Sequence, residues 1–300
     1  MNKVEYKIKV NNLTNKSEET SSVATISYEI ENANNNVLPK EKIMEQINGL
    51  KGNGKFPSNL EYVDSYTDLM TGTTSAAFLN KDTEKITVGM TGTNVHVAPV
   101  LKTFLLTNLV SDRQDMIDTL GSLQDIGADA NIGLNTVTDK DRHFKNTQQF
   151  IKNIKKNYDI DTITGHSLGG RDAIIIGISN DIDNVVVYNP APLTIKDFRR
   201  VIKSPGNNFI DEEKDAYIES LIKKYDGNIL RIVSEKDELN GFVKSMHYVS
   251  AGNERVIKNG KKHSMVGFLG KREQCEIKAE LEKLKGYTDA NNKSFMFAKK

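Results

Sequence analysis

The residues with the clearest chemical potential lie in one turn, Ile163-Thr164-Gly165-His166-Ser167-Leu168-Gly169-Gly170. A strand-like run, Tyr158 to Ile163, precedes it, and an apolar helix-compatible run, Ala173 to Ile178, follows it. Strand, tight turn and helix around a Gly-x-Ser-x-Gly sequence is the setting in which a serine can act as a nucleophile. So sharp a turn puts the serine at strained backbone angles, and glycines at 165 and 169 leave room where a Cβ would strike the neighbouring strand and helix. The helix N-terminus behind the serine offers N–H groups and a partial positive charge where an oxyanion would form. The alternative is an ordinary glycine-rich strand-to-helix turn.

A serine hydroxyl needs a base, and the base needs a carboxylate to orient it. In sites of this kind the partners follow in the order Ser, Asp or Glu, His, each on a loop at the C-terminal end of a strand. After the strand-like run Asn228 to Val233 comes Ser234-Glu235-Lys236-Asp237-Glu238. Asp237 is the expected orienting acid and Glu235 its main rival; a solvated charged loop is the bland reading. There are five histidines. His96 and His143 precede the serine, His166 adjoins it and suits packing or hydrogen bonding, and His247 falls in an expected strand. His263, in Gly260-Lys-Lys-His263-Ser-Met-Val-Gly-Phe268, is left as the base.

Elements must bring these residues together. Period-two alternation in residues 1–36 predicts two N-terminal strands, around Val4–Val10 and Val23–Ile30. Lys40 to Leu50 reads as a helix. Ser75–Leu79 and Lys85–Met90 form a hairpin around Asn80–Glu84. The second of these strands runs into Thr91-Gly92-Thr93-Asn94, and the loop at this point of an α/β-hydrolase supplies one oxyanion N–H, the other coming from the residue after the nucleophile. Thr93 and Leu168 are therefore the expected donors. Val95 to Val110 is apolar and suits either a lid or a buried core helix. Helices are expected over Asp112–Leu123, Asp141–Lys156, Asp211–Tyr225 and Lys271–Lys285. Asn184–Tyr188 and Asn228–Val233 are β-branched strands, and a second hairpin is expected over Ser245–Gly252 and Glu254–Lys258. Strands alternating with helices predict an α/β architecture, a mostly parallel sheet covered on both faces.

The bulk composition constrains partners. The charges, 41 basic against 40 acidic, leave +1, so the net charge implies no overall electrostatic pull toward nucleic acid or an anionic membrane. A lone cysteine, Cys275, excludes an internal disulfide and a cysteine-rich metal site. The first thirty residues carry no apolar core of an export signal, and no run approaches the ~18 apolar residues of a membrane span. No cofactor or metal constellation is apparent.

Taken together, Thr164-Gly-His-Ser-Leu-Gly-Gly170, the strand ending in Met90-Thr-Gly-Thr93, and Asp237 followed by His263 resemble the class 3 (fungal-type) lipases, over roughly residues 60–270. The usual Arg before Gly-Thr is Thr91 here, the aromatic ahead of it is Met90, and Arg171 and Asp172 replace small residues after the double glycine. More narrowly, the chain resembles the N-terminal lipase domain of type VII-secreted antibacterial lipase toxins of Gram-positive bacteria, a reversed LXG arrangement with the enzyme first. The residue patterns place an N-terminal hairpin and helix at 1–58 packed on the core and a charged helix and linker at 271–300; the resemblances imply an α/β-hydrolase core at 59–270 and a helical secretion region toward which the linker leads. They further imply phospholipase A activity on membrane lipids at the membrane surface, without a transmembrane segment. An immunity protein and secretion chaperones as partners, and signal-peptide-independent secretion, belong to the same expectation. Rival expectations are an intracellular carboxylesterase or thioesterase, which would remain cytoplasmic, and a hydrolase-fold binding module with no reaction.

Overall fold

The structure is a computed structural model describing residues 5–68, 73–92, 140–193, 195–199, 211–237, 249–259, 263–285 and 296–297. In chain order its elements are α1 (Glu19–Asn35), α2 (Lys40–Gly52), β1 (Leu60–Asp68), β2 (Thr73–Asn80), β3 (Lys85–Met90), α3 (Lys140–Ile154), β4 (Asp159–His166), α4 (Leu168–Ser179), β5 (Asn184–Tyr188), α5 (Ile195–Arg199), α6 (Asp211–Lys224) and β6 (Asn228–Ser234). There follow β7 (Val249–Ser250), β8 (Asn253–Ile257), a 3-10 turn (Met265–Phe268), α7 (Lys271–Lys285) and β9 (Met296–Phe297).

One seven-stranded sheet runs β1-β2-β3-β4-β5-β6-β8. β1, β2 and β3 form an antiparallel meander, and from β3 to β8 every pairing is parallel. Alternation along the strands divides the core between two faces. Val185 and Val187 join Ile86, Val88, Ile163 and the α4 isoleucines, whereas Val186 and Tyr188 join Val23, Ile26, Ile30, Phe78 and Phe268. Helices cover both sides, as a parallel sheet requires. This is the α/β-hydrolase fold, and the C-terminal ends of β3, β4, β5 and β6 share one edge.

The N-terminal hairpin expected from alternation is not there. Val23, Ile26, Ile30 and Ala33 also recur at helical spacing, and this second period governs: all four are fully buried on α1. Glu18 caps the helix, its carboxylate accepting from the N–H groups of Thr20 and Ser21 at 2.6 and 2.8 Å. Upstream, Ile8 and Val10 do point inward, but among the described residues the segment pairs with no strand. Its backbone is satisfied by the amide of Gln46, which accepts from Ile8 N at 2.7 Å and donates to Tyr6 O at 2.9 Å.

The second hairpin is also replaced. Asn253, expected as its turn, begins β8, which pairs in parallel with β6 from Leu230↔Asn253 to Ser234↔Ile257, while β7 pairs with β9. Gly252 makes the swing possible: it sits at φ +75, and a side chain there would strike Ile229. A salt bridge between Arg231 and Glu254, opposite each other in register, holds the new pair at 2.9 Å. β1 was not anticipated because Glu61, Asp64, Ser65 and Thr67 break its apolar pattern; it is an edge strand, where one polar face is tolerated. The expectations for Val95–Val110 and Asp112–Leu123 lie outside the described residues.

Ile26→Ala should lower the unfolding free energy by about 2–5 kcal/mol, since it empties a site with no solvent access. Val37, 78% exposed after α1, holds φ +58, a conformation that costs a β-branched residue roughly 1–2 kcal/mol. Val37→Gly should therefore raise the urea midpoint, although it removes a side chain; an unchanged or lower midpoint would show that the bend carries no strain.

Candidate active site

Ser167 links β4 to α4 at φ 58, ψ −124, outside the regions a side-chain-bearing residue favours. Three backbone bonds hold the bend. Ser167 N donates to Tyr188 O at 3.1 Å, and Ser167 O accepts from Arg171 N at 3.1 Å and Ala191 N at 2.9 Å. The turn closes only because two side chains are missing: a Cβ on Gly165 would strike the Gly169 carbonyl, and one on Gly169 the carbonyl of Met90. The end of β3 thus lies against the first turn of α4.

His263 stands above this bend. Its Nε2 lies 2.8 Å from Ser167 Oγ and its Nδ1 3.2 Å from Asp237 Oδ1. A neutral ring with its proton on Nδ1 donates to the carboxylate and accepts the serine proton on Nε2. Asp237 is buried, and its N–H donates to Ser234 O at 3.1 Å, closing the turn after β6. Glu235, the rival acid, is exposed. Leu168 is the first residue of α4, where an N–H has no intrahelical acceptor, and it adjoins Gly92. Thr93, the other expected donor, lies outside the described residues, as do His96 and His247.

His263 is supported by His166, expected to pack or hydrogen-bond, and by Asn189 and Tyr28, which sequence reasoning missed. Its carbonyl accepts from His166 Nε2 at 2.6 Å and from Asn189 Nδ2 at 3.1 Å. Asn189, at φ 41, also accepts Ser234 N on Oδ1 at 2.7 Å, so it ties the ends of β5 and β6 to the histidine loop. His166 follows the strand alternation toward α1, where the Tyr28 hydroxyl lies 3.2 Å from its Nδ1. A carbonyl can only accept, so His166 carries its proton on Nε2 and presents the Nδ1 lone pair to Tyr28. Burial, with His263 beside it, pushes the His166 pKa down to about 3. An Asn directly after a central strand was the only sequence cue for Asn189, and none pointed to Tyr28.

Arg171 and Asp172, the two departures after the double glycine, form an ion pair at 3.2 Å, with Asp197 of α5 at 4.0 Å from the guanidinium. Cys275 is exposed on α7. Among the described residues no helix is long and apolar enough to cross a membrane.

No family model and no curated protein matches the sequence. Among solved structures, the chain is similar to lipase II from Rhizopus niveus, at 15% identity and TM-score 0.41, with 81% of this chain and 80% of that one covered. A lipase from Rhizopus microsporus var. chinensis gives 15% identity and TM-score 0.40 over 80% of this chain and 72% of that one. The Lip2 lipase from Yarrowia lipolytica gives 15% and 0.37 over 67% and 66%.

Because the His166 pKa lies near 3 in the fold against 6.5 in the unfolded chain, the unfolded state binds the extra proton between these values. Stability from this group is therefore complete above about pH 6.5 and is lost as pH falls toward 3. In urea unfolding across that window, His166→Gln should flatten the pH dependence by up to about 1.4 kcal/mol per pH unit. Identical slopes for the two proteins would mean that His166 takes up a proton in the fold.

Proposed function

We propose that the chain is a serine hydrolase of carboxylic esters, acting on lipids through Ser167, His263 and Asp237. The reading is carried by one observation: a serine on a strained turn at a helix N-terminus, 2.8 Å from an imidazole that is itself 3.2 Å from a buried carboxylate. In this reading His263 takes the Ser167 proton as Oγ attacks the ester carbonyl. The tetrahedral oxyanion is held by the N–H groups of Leu168 and Thr93, an effect of roughly 3 kcal/mol per donor. Asp237 holds the ring in its Nδ1–H tautomer and stabilises the imidazolium. His263 then gives the proton to the departing alkoxide, leaving an acyl-enzyme, and water repeats the cycle with His263 as base.

A lipid ester is favoured over a small acyl substrate by the sequence resemblance to class 3 lipases. Phospholipase A activity, and a role as a signal-peptide-independent, type VII-secreted antibacterial toxin with an immunity partner, are the narrower form of the proposal. They rest on the narrower resemblance to type VII-secreted lipase toxins.

Ser167→Ala should abolish labelling by a fluorophosphonate probe and lower turnover by ~10³-fold or more, with His263→Ala close behind. Asp237→Asn should cost ~10²–10⁴-fold, and Glu235→Gln little. Mass spectrometry of mixed phospholipid vesicles should find free fatty acid and lysophospholipid with the wild type and neither with Ser167→Ala. Hydrolysis confined to short soluble esters would favour the small-acyl esterase. A folded wild type that takes no label would leave a binding module.

A further inference from the structure

We propose that His166 is a positioning residue: with Asn189 it fixes the main-chain carbonyl of His263 and thereby aims the His263 imidazole at Ser167. The inference rests on the reading of Ser167, His263 and Asp237 as a catalytic triad and adds a fourth and fifth member acting through the backbone.

His263 belongs to no helix or strand; it precedes the 3-10 turn, whose cap is Ser264. Its two side-chain hydrogen bonds set how the ring is rotated, but they leave the position of the ring to the main chain that carries it. That main chain is gripped at one atom. The carbonyl oxygen has two lone pairs, and both are used, by Nε2 of His166 at the end of β4 and by Nδ2 of Asn189 after β5. The two donors come from adjacent parallel strands, so the histidine loop is referenced directly to the sheet edge from which Ser167 projects.

Each donor is itself held. Asn189 N donates to Ile232 O at 2.8 Å while its side-chain oxygen takes the Ser234 N–H. His166 is backed by Tyr28 of α1, whose hydroxyl lies 3.2 Å from both its Nδ1 and its carbonyl oxygen. The two imidazoles also pack against each other, with centroids 4.9 Å apart and planes inclined by 42°. A neutral ring suits this place. It donates to the carbonyl, fills the space beside His263, and adds no positive charge next to the imidazolium that forms when Ser167 gives up its proton. A lysine could supply the hydrogen bond but not the neutrality.

The test compares His166→Leu, which removes the donor, with His166→Gln, whose side-chain N–H can reach the carbonyl. Turnover of a p-nitrophenyl ester, thermal unfolding, and the NMR signal of the His263 Nδ1 proton are recorded for both variants and the wild type. His166→Leu should lower kcat by roughly 10- to 100-fold with KM held within about twofold, because it misplaces the base without touching substrate. The Nδ1 proton signal should broaden or vanish. His166→Gln should recover kcat to within roughly fivefold and restore the signal. Unchanged kcat in His166→Leu overturns the inference, as does a Gln variant as slow as the Leu variant at wild-type Tm. If the wild type takes no fluorophosphonate label, yet the proton signal responds to both variants as stated, the enzymatic reading falls and the fixation of His263 stands. No label and no response overturns both.

Discussion

The bend at Ser167 is the constraint that the rest of the structure serves. A residue with a side chain held at positive φ costs on the order of 1–3 kcal/mol, so it persists only where its surroundings leave no alternative. Here β4 delivers the residue, β5 accepts its N–H at Tyr188, and Ala191 and Arg171 together claim its carbonyl. The strain is offset by three backbone bonds and by the absence of side chains at 165 and 169. What the bend gains is exposure of Oγ at the sheet edge where the loops after β5 and β6 and the His263 loop converge.

The face opposite α4 does a different job. α1 crosses β2, β3 and β4 and carries Tyr28 to the back of His166. Its first turn carries Thr20, whose hydroxyl lies 2.7 Å from that of Tyr188, and its cap Glu18 accepts from the same tyrosine at 3.1 Å. Tyr188 is the strand residue whose carbonyl holds Ser167. The N-terminal helix is therefore wired to the candidate site twice, through His166 and through β5.

How much of this could be read in the sequence follows from how local each signal was. Asn184–Tyr188 and Lys271–Lys285 were bounded to the residue because a β-branched run and a long charged amphipathic run each have one interpretation. The turn around Ser167 was legible because its glycines are demanded by collisions within a few residues. Residues 23–30 misled because Ile26 and Ile30 satisfy two periods at once, and only the sheet beneath them selects the helix. β8 misled because Gly252 permits a hairpin and a crossover equally; the free edge of β6 decides. Asp237 and His263 could be ordered along the chain, but their distances to one another could not. Asn189 and Tyr28 escaped notice since they act on a main-chain atom, and no side-chain pattern announces such a partner.

Residues 18 and 274 meet in the interior. Gln274 accepts the Glu18 N–H on Oε1 at 2.6 Å and donates from Nε2 to Ser21 Oγ at 2.9 Å and Phe268 O at 2.8 Å. This contact joins residues 256 positions apart and ties the first turn of α7 to the first turn of α1. A chain stopped short of α7 would lack the partner that holds the first turn of α1, and with it part of the support behind the candidate site.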